Sequence, residues 1–224
     1  MNISPQTIDE VSLAQNDPEL LFSDYQEFLR VQHLYKAAVQ KIQLRLETIN
    51  EEFSVTHNRS PIHHIESRLK APRSIVEKLK RRGYPVTVEA AIEHINDIAG
   101  IRVVCSYIED VYRVEDILMQ QKDLVLVDRT DYIAEPNFNG YRSLHLDFRV
   151  PVYLSDRTKF VLAEIQIRSV AMDFWASLEH DLRYKGNKEK LPPDINEEMH
   201  RCADEIAAID RKMQDMYRKI IYAE

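Results

Sequence analysis

Basic side chains are concentrated in one short segment of an acidic chain. Residues 68–82 carry seven Lys or Arg against one acid, whereas the 224-residue chain has a net charge of −7. Arg68 and Lys70 are two residues apart, so an extended backbone would point both to one side. Lys78 and Arg81 are three apart, so a helix would place them on one face. Together they could hold the phosphates of a compact polyanion; the alternative is a solvated basic helix face.

A second polar group lies on a predicted strand. Residues 160–168 alternate apolar and polar side chains, so Glu164, Gln166 and Arg168 should share one face of that strand. An acid, an amide and a cation in a row are costly to bury unless each finds a partner. This face therefore predicts a binding site, and the alternative is a solvated face of a sheet.

Two further carboxylates have positions suited to a metal ion or a general base. Asp97 precedes residues 101–107, a short β-branched run that predicts a strand, and the mouth of a strand can place a Mg²⁺ ligand. Taken alone, such an Asp is more often a turn or capping residue. Glu179 lies on a predicted helix, 171–184, where it is either a candidate base or a surface acid.

An aromatic residue follows a glycine at the start of another predicted strand, 144–150. Gly140 permits a sharp turn there, and Tyr141, Ser143 and His145 then share one face. An aromatic ring at the mouth of a strand can stack on a nucleobase. Packing of the ring in the core is the alternative.

Glycine is too scarce for a backbone loop that cradles phosphates. The chain has only four glycines, and the closest two, Gly83 and Gly100, are 17 residues apart. Neither the G-x-G-x-x-G fingerprint nor the G-x-x-x-x-G-K-[ST] loop can therefore occur. If this protein binds nucleotides, side chains must hold the phosphates.

Helices and strands intermix in the middle of the chain. The patterns predict helices at 72–82, 88–95, 110–120 and 171–184. They predict strands at 101–107, 124–132, 144–150 and 160–168, with the last two antiparallel. This mixture predicts an α+β domain around a mixed β-sheet, with long helices at both ends.

The ends of the chain differ from its centre. We expect residues 1–16 to be disordered, 17–56 to form an N-terminal helix, 57–190 the central domain and 191–224 a C-terminal helix. Apolar residues step by three and four along Tyr25–Phe53 and Met199–Ile220. Such seams suit another helix, so they suggest self-assembly; the alternative is that both helices pack on their own domain.

Compartment signals are few. Cys105 and Cys202 form no C-x-x-C pair, and the polar N-terminus lacks the apolar core of a signal peptide. No apolar run approaches the roughly 18 residues of a membrane span. The expectation is a protein of a reducing cytoplasm, with no membrane association.

Six motifs occur in order along the chain. They are Ser67-Arg68-x-Lys70, Ser74-Ile75-x-x-Lys78, Asp97-Ile-Ala-Gly-x-Arg102, Asn139-Gly-Tyr-x-Ser-x-His145, Glu164-x-Gln-Ile-Arg168 and Ala171-Met-x-x-x-Ala176. Together they resemble the synthetase domain of the RelA/SpoT homologues, the enzymes that make the alarmones ppGpp and pppGpp. The resemblance covers roughly 60–186, and the length suits the small alarmone synthetases, without room for a hydrolase domain.

The resemblance implies a nucleotidyltransferase-like fold and a GTP diphosphokinase activity. Such enzymes transfer the pyrophosphoryl group of ATP to the ribose 3′-hydroxyl of GDP or GTP and release AMP. On the ATP side, it implies that Arg68 and Arg102 sandwich adenine and that Lys70, Lys78 and Arg81 bind the phosphates. Asp97 and Glu164 would hold Mg²⁺, and Glu179 would be the base for the 3′-hydroxyl.

On the acceptor side, the resemblance implies that Tyr141 stacks on guanine while Asp173 reads its Watson–Crick edge. His145, Gln166 and Arg168 would lie beside the same nucleotide. It also implies a homotetramer assembled through the end helices, with possible regulation by (p)ppGpp or RNA. One departure concerns Asn137, which stands where many relatives carry a Lys, so the preference among GDP, GTP and GMP could differ.

Two other functions compete with this interpretation. A nucleotidyltransferase of the same superfold would release pyrophosphate instead of AMP, but such enzymes usually carry paired acids as D-x-D, whereas Glu164 is alone on its strand. An inactive module that binds alarmone or RNA is the other, and the intact Asp97, Glu164 and Glu179 argue against it.

Overall fold

Helices and strands are interspersed along the chain in the computed structural model, which describes residues 18–185 and 192–221. The helices of these ranges are α1 (Pro18–His57), α2 (Pro72–Arg82), α3 (Val88–His94), α4 (Ile108–Met119), α5 (Val170–Lys185) and α6 (Pro193–Ile221). The strands are β1 (Ile62–Leu69), β2 (Ala99–Cys105), β3 (Val125–Asp131), β4 (Leu144–Tyr153) and β5 (Thr158–Ser169). The disorder expected for residues 1–16 concerns a segment outside the described residues.

The five strands form one mixed sheet in the order β1-β2-β5-β4-β3. β2 and β5 run parallel, and the other neighbouring pairs are antiparallel, including β4 with β5. The α+β class and the mixed sheet predicted from the sequence are therefore confirmed. β1 was not predicted as a strand, since its sequence, IHHIESRL, has no regular alternation. It pairs along β2 at the edge of the sheet.

Local sequence signals set the limits of the helices near the site. Pro72 occupies the first turn of α2, and Gly83 ends that helix in the left-handed conformation, with φ 76°. Thr87 caps α3 because its side chain accepts a hydrogen bond from the backbone N–H of Ala90. These two helices follow β1 and lead the chain into the loop before β2.

The two faces of β5 have opposite character. Ala163, Ile165 and Ile167 are buried in the main core, while Glu164 and Gln166 point to the other face and keep partial exposure. Burying an Ile or Leu side chain contributes roughly 1.5–3 kcal/mol, so the apolar face fixes the register of the strand. The polar side chains of β5 therefore point to the opposite face of the sheet, where they line the cavities described below.

Helix α1 packs its apolar stripe against the same core. Tyr35, Val39, Ile42 and Leu46 are buried there together with residues of the sheet. The centre of the seam predicted over Tyr25–Phe53 is therefore covered by the chain's own sheet, as in the alternative considered for that helix. The periodicity was right, but its partner is intramolecular.

Helix α6 packs on α5 and α4 with only part of its apolar stripe. Ala203 is buried against Trp175 of α5, and Met199 and Cys202 pack against the same cluster. The stripe continues along the helix with residues that are about half or more exposed, namely Ile209, Met213, Met216 and Ile220. Among the described residues, the helices are too short or too polar to cross a membrane.

Candidate active site

Asp97 is held by two lysines at the mouth of β2. Lys70 Nζ and Lys78 Nζ lie 2.8 Å from its two carboxylate oxygens. Burial works to raise the pKa of Asp97, but the hydrogen bonds and charges of the two lysines outweigh it and lower the pKa to about 2. The fold thus brings a predicted metal ligand and two predicted phosphate-binding cations together in one cluster.

Glu164 lies on the polar face of β5, beside the strand that Asp97 precedes. His145 Nδ1 is 3.3 Å from Glu164 Oε1, and Gln166 Nε2 donates to Oε2 at 2.7 Å. Burial acts to raise the pKa of Glu164, and the contacts with His145 and Gln166 reverse that effect and lower it. Glu164 is therefore an anion with defined donors, ready to hold a cation.

Arg168 is almost completely buried, with 4% of its surface exposed. Its Nη2 donates at 2.7 Å both to the phenol oxygen of Tyr141 and to Gln166 Oε1. Its Nη1 donates to Asp173 at 3.2 Å, and its Nε lies 3.4 Å from Ser143 Oγ. All three guanidinium nitrogens therefore bond to other residues of the protein, so Arg168 holds these neighbouring side chains in place.

These contacts form a short relay from Arg168 to Glu164. His145 Nδ1 lies 3.3 Å from the Glu164 carboxylate, which can only accept, so the neutral imidazole places its proton on Nδ1. In that tautomer His145 Nε2 accepts from the phenol of Tyr141, 2.8 Å away, while the same phenol oxygen accepts from Arg168. The Gln166 amide forms a parallel bridge between Arg168 and Glu164. The predicted acceptor residues and the predicted metal ligand are therefore one hydrogen-bonded network.

Two arginines lie near the start of β2, Arg68 on the neighbouring β1 and Arg102 on β2 itself. Arg68 is directly opposite Gly100 in the β1–β2 register, and a Cβ at that glycine would lie 3.7 Å from the Arg68 side chain. Arg102 pairs with Glu66 at 3.0 Å and approaches Asp173 at 3.6 Å. Arg68 and Arg102 line one cavity of about 90 Å³ together with Glu164 and Gln166.

A second cavity of about 180 Å³ opens on the other side of Glu164. Lys78 and Arg82 line it with Asp97 and Asp147. Arg81, the neighbour predicted to act with Lys78, is exposed on α2. The spacing of four between Lys78 and Arg82 places these two side chains on the face toward the cavity.

Asp147 is a buried site residue that the sequence argument missed. It lies opposite Glu164 in the β4–β5 register and accepts a 2.8 Å hydrogen bond from Asn96, the neighbour of Asp97. Burial raises its pKa, with the Glu164 and Asp128 charges acting the same way and Asn96 opposing them. The signal was present, since Asp147 is two residues after His145 and hence on the same strand face.

The loop before β4 is packed tightly against α6. Gly140 has φ 86°, and a Cβ at this position would approach Ala203 Cβ to 2.6 Å. Arg142 donates to the Ala203 carbonyl and to Asp204 of the same helix. Glycine is therefore needed here both for its backbone angle and for the close approach of the helix.

The same loop contacts α5 and is stabilised by its own side chains. Asn139 Nδ2 donates to Glu179 Oε1 at 3.2 Å, which brings the predicted base to the edge of the acceptor side. Asn137 uses its side-chain oxygen to accept from the N–H of Phe138 at 2.8 Å. Asn137 thus shapes the turn at the position where a lysine was expected from the resemblance.

The donor chemistry of the site fits Mg²⁺. Asp97 and Glu164 line one cavity, and both are oxygen ligands. Mg²⁺ typically keeps several waters and binds one or two carboxylates plus substrate phosphates. Among the described residues, His, Cys, Asp and Glu form no cluster of three or more that could hold a metal ion on its own. The two carboxylates therefore suit an ion that is shared with a phosphate group.

Comparison with protein families gives a match over the centre of the chain. The model described as the region found in RelA / SpoT proteins matches residues 67–189. The GTP pyrophosphokinase YwaC of Bacillus subtilis is 42% identical over 205 residues, which cover 92% of this chain and 96% of that protein. The GTP pyrophosphokinase YjbM of the same organism is 35% identical over 192 residues, 85% of this chain and 88% of that protein.

Solved structures give the same result. The small alarmone synthetase 1 of Bacillus subtilis, bound to its product pppGpp, superposes with a TM-score of 0.80 at 34% identity, covering 87% of this chain and 98% of that one. The small alarmone synthetase 2 of that organism gives 0.78 at 41% identity, over 86% and 99%.

Proposed function

The chain belongs to the RelA/SpoT family, and on that premise we propose that it is a GTP pyrophosphokinase of the small alarmone synthetase type. It transfers the pyrophosphoryl group of ATP to the 3′-hydroxyl of GDP or GTP, which yields ppGpp or pppGpp and AMP. The observation that carries this proposal is the position of Asp97 and Glu164 between a lysine pair and the Arg168–Tyr141 network.

The lysine cluster provides the ATP half of the site. Lys70 and Lys78 now neutralise Asp97 at 2.8 Å, and a triphosphate that arrives beside them offers stronger oxygen acceptors for the same ammonium groups. Arg68 and Arg102 border the adjoining cavity, where their flat guanidinium groups can stack on adenine. Arg81, exposed on α2, is the third predicted phosphate ligand.

The Tyr141 ring provides the acceptor half. Arg168 fixes the phenol, so the ring presents a face of defined orientation to a guanine base. Asp173, held by Arg168 and near Arg102, can accept the N1 and N2 hydrogens of guanine. His145 and Gln166 connect this half to Glu164.

Catalysis rests mainly on positioning and on charge neutralisation. Asp97 and Glu164 would hold Mg²⁺, which supplies charge stabilisation to the transferred phosphates when it is bound. The side chains of Lys70 and Lys78 add positive charge next to the β-phosphorus under attack. Glu179, located by Asn139, accepts the proton of the 3′-hydroxyl as the nucleophile attacks.

Product analysis tests the proposed reaction. The protein is incubated with ATP, Mg²⁺ and GDP, GTP or GMP in turn, and the nucleotides are separated and identified. Pyrophosphoryl transfer yields AMP and a 3′-pyrophosphorylated guanine nucleotide in equal amounts. Release of inorganic pyrophosphate would point to nucleotidyl transfer instead, and an unchanged ATP pool would point to a binding module.

Family membership also suggests an oligomeric state, a cellular compartment and a mode of regulation. We propose a homotetramer that uses the exposed stripe of α6, since the corresponding stripe of α1 is taken up by the core. The free thiols of Cys105 and Cys202 suit a bacterial cytoplasm. We also propose regulation by (p)ppGpp or RNA, as the resemblance to the family implies.

A further inference from the structure

A cavity of about 380 Å³ lies between α4, α5 and α6, outside the catalytic cluster. Its walls are mostly apolar and include Met172 and Trp175 of α5 and Ile206 and Ala207 of α6. A volume of this size is within the range of small-molecule pockets. The small side chain of Ala207 leaves space at the surface of α6 that a larger residue would fill.

Gln214 leaves one hydrogen-bond donor unused at this cavity. The residue is 96% buried and lines the cavity. Its Oε1 accepts the backbone N–H of Glu109 at 3.0 Å, which fixes the amide orientation because Nε2 could not accept that hydrogen. Nε2 itself is buried without a hydrogen-bond partner among the described residues. Burying an amide donor without an acceptor is unfavourable, so a ligand that supplies an acceptor is favoured.

Asp210 lies one helical turn before Gln214 and lines the same cavity. It is 95% buried, and one carboxylate oxygen, Oδ2, accepts from Ser169 Oγ at 2.5 Å. The carboxylate has further lone pairs for a second donor. Residues four apart on an α-helix project from one face, so the cavity wall offers one acceptor and one donor on successive turns of α6.

The Gln214 donor and the Asp210 acceptor, together with the apolar walls, restrict the ligands that fit the cavity. The aromatic and aliphatic walls require a flat apolar body, and the polar pair requires an acceptor and an N–H donor along one edge of it. The buried Asp210 carboxylate disfavours phosphate groups in the interior. Of the three arginines that line the cavity, Arg211 and Arg218 are exposed, and Arg142 is paired with Asp204 at 2.9 Å. We propose that this cavity is a second binding site that takes a purine nucleobase or nucleoside, with Gln214 and Asp210 reading its edge.

The position of the cavity ties it to the acceptor half of the catalytic site. Gly140 and Arg142, on either side of Tyr141, line the cavity, and Met172 precedes Asp173 on α5. A ligand in the cavity therefore contacts both segments that carry the predicted guanine contacts. Occupation of one site and binding at the other are linked reciprocally wherever these segments shift.

Trp175 makes the proposal directly measurable. It is the only tryptophan of the chain and it lines the cavity, so its fluorescence reports on a bound heterocycle. The probes are guanosine and adenosine, which lack the phosphates that the lysine cluster would bind. Titration of the full chain is expected to change Trp175 fluorescence in a saturable manner with at least one of them.

Variants of the full chain separate the cavity from the catalytic site. Gln214→Glu keeps an oxygen for the Glu109 N–H but removes the donor, and Ala207→Met fills the space. Each is expected to weaken nucleoside binding at least 10-fold, whereas the exposed control Glu205→Gln leaves it within 2-fold. Thermal unfolding identifies a variant that fails to fold. If one of the two cavity variants does so, binding to the other one tests the proposal.

Two kinds of binding result would overturn the proposed second site. No saturable signal up to the solubility limit of both nucleosides would overturn the proposal. Binding that both cavity variants retain, or that Asp173→Asn alone abolishes, would assign the signal to the catalytic site. Because the measurement is binding and not turnover, its outcome is independent of whether AMP is formed in the assay of the proposed reaction.

Discussion

Arg168 donates a 2.7 Å hydrogen bond to the phenol oxygen of Tyr141. The cation is 4% exposed, and its guanidinium carbon also lies 5.2 Å from the centre of the Tyr141 ring. A buried cation with all its nitrogens engaged is a rigid support. We therefore propose that Arg168 is a positioning residue, which acts on the acceptor through Tyr141, Gln166 and Asp173.

Replacing Arg168 by Lys should impair acceptor binding more than ATP binding. A lysine keeps the charge but satisfies fewer of the partners, since it has no planar fork. We expect an acceptor KM at least 10-fold higher, an ATP KM within about 2-fold, and a loss of about 2–4 kcal/mol in the free energy of unfolding. Arg157→Lys, at an exposed pair with Asp156, is the control. Equal effects on both KM values would contradict the positioning role.

Two glycines with similar backbone angles should respond very differently to alanine. Gly140 and Gly83 have φ 86° and 76°. A Cβ at Gly140 would meet Ala203 at 2.6 Å, whereas nothing lies within 4 Å of one at Gly83. Gly83→Ala should cost about 1 kcal/mol of stability from the backbone alone. Gly140→Ala should cost about 2–4 kcal/mol and raise the acceptor KM.

A second substitution identifies the cause of that difference. Ala203→Gly in the Gly140→Ala background removes the clashing methyl group, so it should restore part of the acceptor KM and of the stability measured by denaturant unfolding. If the double variant is no better than the single one, the close approach of α6 is not what requires glycine at position 140.

Replacing Glu179 by Gln should abolish most turnover while the fold persists. The Gln side chain can still accept from Asn139 Nδ2, which lies 3.2 Å from Glu179 Oε1, but it cannot take up the 3′-hydroxyl proton. Loss of a general base lowers kcat about 10²–10⁴-fold. AMP formation measures this, and Glu77→Gln, on the exposed face of α2, is the matched control. A kcat within 3-fold of the parent would remove Glu179 from the mechanism.

The stability of the fold should fall in acid through Asp123. The bidentate hydrogen bonds of Arg45, with Lys41 alongside, outweigh partial burial and hold the pKa of Asp123 well below its ordinary value of 3.8. A carboxyl with a depressed folded pKa stabilises the protein above about pH 4 and loses that contribution as pH falls below it.

Asp123→Asn should therefore lower the free energy of unfolding by about 1–2 kcal/mol at pH 7. The difference from the parent should shrink between pH 4 and pH 2, as measured by urea unfolding at each pH. Asp156→Asn, at an exposed pair with Arg157, should show under 0.5 kcal/mol throughout. A difference that stays constant with pH would mean that Asp123 acts by packing alone.

The local parts of this site could be predicted from the sequence because their causes are local. The period of two in β5 assigns Glu164 and Gln166 to one face without any knowledge of the other strands. The proline and glycine at the ends of α2 likewise determine its limits. These features needed only the chain neighbours of each residue.

The contacts between elements could not be predicted in the same way. The meeting of Lys70 with Asp97, 27 residues apart, depends on the pairing of β1 with β2, and β1 has no strand period. The burial of Arg168 depends on four partners from three segments. The α1 stripe has one periodicity whether it packs on the sheet or on another subunit, so sequence alone left both options open.

A charge on the exposed stripe of α6 should disrupt self-assembly. Met213 is 48% exposed, and Ile209 and Ile220 on the same stripe are 57% and 75% exposed. If this stripe packs against a second copy, Met213→Glu places a carboxylate in an apolar contact. The free energy needed to bury that unpaired charge is expected to exceed the binding free energy of the contact, so the copies should dissociate. The parent should sediment as a tetramer at micromolar concentration, and the variant as a smaller species with unchanged thermal unfolding of the protomer. Leu44→Glu, at an apolar residue of α1 that is 65% exposed, should leave the tetramer intact. A monomeric parent would refute the proposed assembly, and dissociation by Leu44→Glu alone would assign the contact to α1.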